Sequence, residues 1–213
     1  MFVNTHTLIA KSIVNNIDEN KHFFLNENHF IYGNIKPDLS SKYFFKKHYL
    51  KESYDMIESK VNYLCNLNLN SLSKYFSVGV LSQELGVICH FLCDFLCVPH
   101  SYRWEFKHSM KKHLSYETEL NTIAKKTNLN KFINDDIKYD SFGEFFNSLY
   151  IEYQQILDHK NDLLFSVYAC NSVVNYILDS ILKNTVKSYS ISNFMVLQKI
   201  DHHDLLKCRL VTL

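Results

Sequence analysis

A chain of 213 residues can enclose one well-buried core, and its 23 Lys and Arg against 22 Asp and Glu leave a net charge of +1, without the broad basic field on which nucleic-acid binders rely. Only 4 Gly and 2 Pro accompany 46% hydrophobic residues, too little turn chemistry for a many-stranded sheet, so the fold class is all-α. No linker, internal repeat or low-complexity tract divides the sequence, which reads as a single compact multi-helix domain over residues 1–213.

The opening MFVNTHTLIAKSIV lacks the basic region, apolar core and small-residue cleavage pattern of a secretory signal, so a cytoplasmic location is expected. No run of 18 apolar residues occurs, because His90 and Asp94 interrupt the most apolar stretch, and no transmembrane segment is expected. A first helix is predicted over residues 5–16, with Leu8, Ile9, Ile13 and Ile17 as its stripe, Thr5 as N-cap and His6 in its first turn. A short or irregular piece then passes Phe23, Phe24 and Phe30, and Gly33 and Pro37 predict a turn that makes Asp38 a loop residue. After the aromatic patch Tyr43, Phe44 and Phe45 and then His48, a helix is predicted over 53–64. One long helix follows over about 73–98, stopped by Pro99. Residues 102–109 read as a connection, 113–125 as an amphipathic helix, 128–139 as a polar excursion, and 142–159 and 162–187 as two more helices. The last twenty or so residues follow no clear pattern.

Cys89, Cys93 and Cys97 repeat every four residues, stacked so that they cannot easily pair with one another, and are expected to be small buried filler in a reducing compartment. Chemistry concentrates instead in the stretch GVICHFLCDFLCVPHSY, residues 86–102. His90 and Asp94 are four apart and share one helix face in otherwise apolar sequence, where burying either without a partner is costly. A metal ion is the simplest compensator, since neutral imidazole and carboxylate are good zinc ligands. His100 extends the pair to His-x3-Asp-x5-His, and His113 with Glu117 forms a second i,i+4 pair. One such pair alone is commonly a surface ion pair. Two pairs with a post-proline His favour metal, and His6, Asp38 and His48 are the upstream candidates. His22, His29, His108, His159, His202 and His203 are expected to be surface or capping residues, and Tyr102 and Trp104 to pack.

Thr5-His6, Pro37-Asp38, His48, His90/Asp94/His100 and His113/Glu117 stand in the order found in the bacterial zinc-dependent phospholipases C, which the sequence resembles by motif over about residues 5–120. The resemblance implies an all-α fold holding two or three zinc ions. Asp94 would bridge two of them, with His48 and His90 on one and Asp38 ligating it or orienting and deprotonating its water as the catalytic residue. His6 would serve the other bridged ion, and His100, His113 and Glu117 a separate one. Phe45, three residues before His48, matches a substrate-facing aromatic of the family, whereas Leu39 replaces the choline-facing aromatic that follows the loop Asp. Secreted members also use their mature N-terminal amine as a ligand. Met1 here lies five residues before His6, a reach of at most about 18 Å, and a helical start is expected to point its amine elsewhere.

The implied activity is phosphodiester hydrolysis of the phospholipase C type, in which a zinc-bound hydroxide cleaves the glycerol–phosphate ester of a phospholipid. The expected partner is a phospholipid or other phosphodiester substrate, with no nucleic acid. Zinc nucleases of a related fold carry the same His-x3-Asp-x5-His run but typically end their ligand set with Asp, so a single-strand nuclease or nucleotidase is one alternative. A non-catalytic zinc-stabilised binding protein is the other.

Overall fold

The computed structural model describes residues 1–40, 43, 47–75, 77–104, 110–132 and 139–210, without the side chains of residues 75 and 193–210. Its helices are α1 Val3–Asn16, α2 Glu27–Leu39, α3 Leu50–Cys65, α4 Leu69–Tyr75, α5 Val78–Phe95, α6 Val98–Ser101, α7 Met110–Lys126, α8 Phe142–Tyr153 and α9 His159–Leu210. Short 3₁₀ segments occupy Glu19–Phe24 and Leu129–Phe132, and no strand occurs among the described residues. The all-α class follows directly.

Helix α5 is the axis of the molecule, and every residue from Leu85 to Phe95 is buried. Among the described residues it is the one helix long and apolar enough to cross a membrane by length and composition, but α2, α3 and the first half of α9 cover it. Its N-terminus is set by Ser77, whose hydroxyl accepts from the Val80 amide, so the helix predicted over 73–98 is instead two, α4 and α5. Its end comes at Phe95, before the proline, and Pro99 sits in the first turn of α6, where a missing N–H costs little.

The turn predicted at Gly33 and Pro37 is a helix. A Cβ on Gly86 would lie 2.3 Å from the Phe30 carbonyl oxygen, and one on Gly33 2.3 Å from the Gln83 carbonyl oxygen. Both glycines serve close backbone approach of α2 to α5. Pro37 forfeits one helical hydrogen bond only in the last turn, and Asp38 is therefore a helical residue. Thr5 is not the cap of α1 but lies buried inside it, because the helix starts two residues earlier.

Cys89, Cys93 and Cys97 are fully buried, as expected of filler. Helix α8 ends at Tyr153, short of the predicted 159, and α9 runs on through the patternless C-terminal residues to Leu210. Its first half buries Leu163, Val167, Val174, Ile177 and Ile181 in the core, while Val186, Tyr189 and Ile191 beyond are exposed.

Candidate metal centre

His90 and Asp94 project from successive turns of α5 and are completely buried. A carbonyl can only accept, so the 2.7 Å contact to the Asn34 oxygen makes His90 Nδ1 the donor and leaves the Nε2 lone pair directed into the site. That carbonyl belongs to α2, so the glycine contact that seats α2 on α5 also orients His90. Asp38, four residues further along α2, places Oδ1 3.7 Å from both His90 Nε2 and His48 Nδ1. His48, just ahead of α3, enters with Nδ1 2.7 Å from Asp94 Oδ2 and 3.2 Å from His90 Nε2.

Asp94 presents its other oxygen to a different set. Oδ1 is 2.5 Å from the Met1 amine and 3.4 Å from His6 Nε2. His6 stacks on His90 with ring centroids 4.1 Å apart, and neither of its buried ring nitrogens makes a hydrogen bond in good geometry. The expectation that a helical start would point the amine elsewhere is corrected here. Phe2 is extended (φ −68°, ψ 148°) and α1 begins only at Val3, so Met1 turns back into the site. Its amine also stands 3.0 Å from His100 Nε2 and 3.2 Å from Glu117 Oε1.

The third set comes from α6 and α7. Glu117 Oε1 lies 3.0 Å from His100 Nε2 and 2.9 Å from His113 Nε2. The break after α5 is what swings His100 round to meet α7.

Donors bound tetrahedrally to zinc at about 2.0–2.1 Å are separated from one another by about 3.4 Å, and the separations here bracket that value. Within each of three sets, His6/Asp38/His90, His48/His90/Asp94 and His100/His113/Glu117, the ligand atoms lie within 4.8 Å of one another. The donor types, the unbonded His6 nitrogens and a buried cation between two carboxylates all fit a site built to hold positive charge.

The electrostatics have the same origin. Burial pushes the Asp94 carboxyl up, but the Met1 ammonium and the His100, His90 and His6 rings outweigh it and hold the group well below the ordinary carboxylate range. Glu117 is likewise held low against its burial by the Met1 ammonium and by hydrogen bonds with His100 and His113. Burial drives His6 down to about 3, helped by His90, so it is a neutral imidazole fit to ligate. Asp38 is raised, chiefly by burial.

The structure thus brings together all eight polar residues singled out from the sequence. Phe45 and His108 lie outside the described residues, as do the side chains of His202 and His203. Trp104 packs edge-on to Tyr116 under the Lys112 ammonium, in keeping with a packing role. Sequence reasoning missed two groups, the Met1 amine as an inward-facing group and the Asn34 carbonyl. Both act through backbone atoms, which no side-chain pattern reveals.

An all-α scaffold that sets a buried carboxylate between two imidazole sets, beside a His/His/Glu set, offers three groups of side chains that could hold metal ions. The chain belongs to the zinc-dependent phospholipase C family, whose family model matches residues 5–160. No curated protein and no solved structure matches it.

Proposed function

We propose that the chain, over residues 1–213, is a zinc-dependent phosphodiester hydrolase of the phospholipase C type, cleaving the glycerol–phosphate ester of a phospholipid. The observation that carries this reading is the two-sided use of Asp94, with Oδ2 toward His48 and His90 and Oδ1 toward His6 and the Met1 amine. One carboxylate would thereby serve two ions, with Asp38 completing the first set and the deprotonated Met1 amine the second. His100, His113 and Glu117 would hold a third.

Bound zinc supplies Lewis acidity toward the phosphoryl oxygens and lowers the pKa of water to about 7. The protein's own part is to place the donors and handle a proton. Asp38 is the best-placed group for that proton: its carboxyl is about a quarter exposed, stands between His48 and His90, and is raised by burial toward a more basic carboxylate. Leu39, 65% exposed beside it, offers no aromatic face to a quaternary ammonium. Choline is therefore not the expected basis of selectivity.

Metal analysis of protein purified without chelator is expected to give two or three zinc ions per chain, and none would sink the reading. Zinc-loaded protein is expected to hydrolyse phosphatidylcholine micelles and a chromogenic phosphodiester. Turnover of single-stranded DNA alone would transfer the activity to the nuclease class, and full zinc content with no turnover would leave a binding protein.

A further inference from the structure

Asp162 lies in the first turn of α9, is 0% exposed, and pairs with no cation among the described residues. Its two oxygens are instead surrounded by neutral donors from three other elements. Oδ2 accepts from the Val98 amide at 3.1 Å and from the Tyr116 hydroxyl at 3.0 Å, and Oδ1 from the Tyr153 hydroxyl at 2.9 Å. A buried carboxylate is costly unless its lone pairs are satisfied, so these bonds are not interchangeable with contacts to water.

The partners of Oδ2 share a property. Val98 is the first residue of α6, two before His100, and Tyr116 directly precedes Glu117 one turn beyond His113. One oxygen thus ties together the two segments that carry the His/His/Glu set, which meet at Glu117 Oε1. The four-residue α6 has little of its own to fix its direction. Tyr116 is further clamped by stacking on His159, ring centroids 3.9 Å apart, from the same first turn of α9. Tyr153, the partner of Oδ1, is on α8 and bears no ligand.

We propose that Asp162 is a positioning residue of the metal centre, holding α6 and α7 in the register that lets His100, His113 and Glu117 grip one ion. The inference rests on the metal-centre reading above. Groups hydrogen-bonded directly to metal ligands are generally worth about 10–100-fold in metal affinity, the upper bound for one that acts through Val98 and Tyr116.

The test is a competition titration of zinc against a chelator, repeated with the visible spectrum of the cobalt(II)-substituted protein. His113→Ala identifies which step belongs to this set. Asp162→Ala is expected to weaken that step by about 10-fold, within the about 10–100-fold bound for direct partners of ligands, and to change the cobalt spectrum, leaving the other ions in place. Tyr116→Phe is expected to weaken the same step several-fold. Tyr153→Phe is expected to lower thermal stability with zinc affinity unchanged. So is Asn184→Ala, which removes the side chain that caps the Cys65 and Leu67 carbonyls elsewhere in the core. Asp162→Asn can turn its oxygen to Val98 and Tyr116 and its amide to Tyr153, whose hydroxyl then accepts, so it should rescue wild-type affinity. Wild-type affinity in Tyr116→Phe, or equal weakening in Tyr116→Phe and Tyr153→Phe, overturns the positioning role while leaving the metal centre intact. This comparison decides even if Asp162→Ala does not fold. A wild-type chain that takes up no zinc overturns the metal-centre reading, and this inference with it.

Discussion

Replacing Gly86 by Ala tests the coupling between helix packing and the metal centre. The added Cβ would sit 2.3 Å from the Phe30 oxygen and 2.8 Å from the Asn34 nitrogen and Gly33 Cα, where ordinary contact begins at 3.4 Å. All three atoms are backbone of α2, so no side chain can rotate away, and the helix must retreat by about 1 Å to restore ordinary contact. That displacement takes the Asn34 carbonyl from 2.7 Å out of hydrogen-bonding range of His90 and draws Asp38 away from the His90 ring. Overpacking at about 1–3 kcal/mol and one buried hydrogen bond at about 1 kcal/mol are offset by at most about 1 kcal/mol of helix propensity. With the full offset the net loss is about 1–3 kcal/mol, or roughly 2–12 °C in melting temperature for a chain of this size. Thermal melts of the chelator-treated and zinc-loaded variant should show both the drop and a reduced zinc content. Gly79→Ala is the control, since its Cβ would meet only the exposed His29 ring at 3.0 Å, and it should melt within about 1–2 °C of wild type. A Gly86→Ala protein that melts within about 2 °C of wild type and keeps its zinc would refute the argument, because the interval between α2 and α5 would then be soft.

Asp94→Asn removes the carboxylate shared by two donor sets. It should cost two ions by metal analysis and abolish any phosphodiesterase turnover, so an active variant refutes the bridging role. A short extension ahead of Met1 would carry the terminal amine out of its place between Asp94 and Glu117, and should lower both the zinc content, by one ion, and the melting temperature of the metal-free chain, whose buried carboxylates lose their counter-ion. The pH dependence of the metal-free chain has a defined sign. His6 titrates near 3 in the fold but near 6.5 when unfolded, so between these values the unfolded chain binds a proton that the native chain refuses. Stability contributed by neutral His6 is full above about 6.5 and is lost as pH falls, by up to about 5 kcal/mol over the interval. His6→Gln should flatten that acid limb in urea melts, and an unchanged limb would contradict it.

The candidate donor set was legible because His, Asp and Glu name their own chemistry, and their spacing survives whatever the intervening backbone does. His90, Asp94, His100, His113 and Glu117 were also placed on helices or at a helix break by periodicity and Pro99. What escaped was decided by tertiary contact. Gly33 and Pro37 carry the local signature of a turn, but Gly86 lies opposite Gly33, and the packing of two helices overrides both propensities. The break at Ser77 depends on a single hydroxyl cap. The reach of α9 to Leu210 has no amphipathic stripe to announce it. The Met1 amine is within reach by chain length but is expected from a helical start to point elsewhere, and its inward direction follows from the extended backbone of Phe2.

The ammonium of Met1 has a consequence for how the protein tolerates losing its metal. Two buried carboxylates, Asp94 and Glu117, have an internal counter-ion 2.5 Å and 3.2 Å away, so withdrawing an ion does not strand uncompensated negative charge in the interior. In small zinc domains chelation and unfolding are one event. Here the two would be separable, and metal binding would have to displace the proton of a terminal amine whose pKa is raised by those carboxylates despite complete burial.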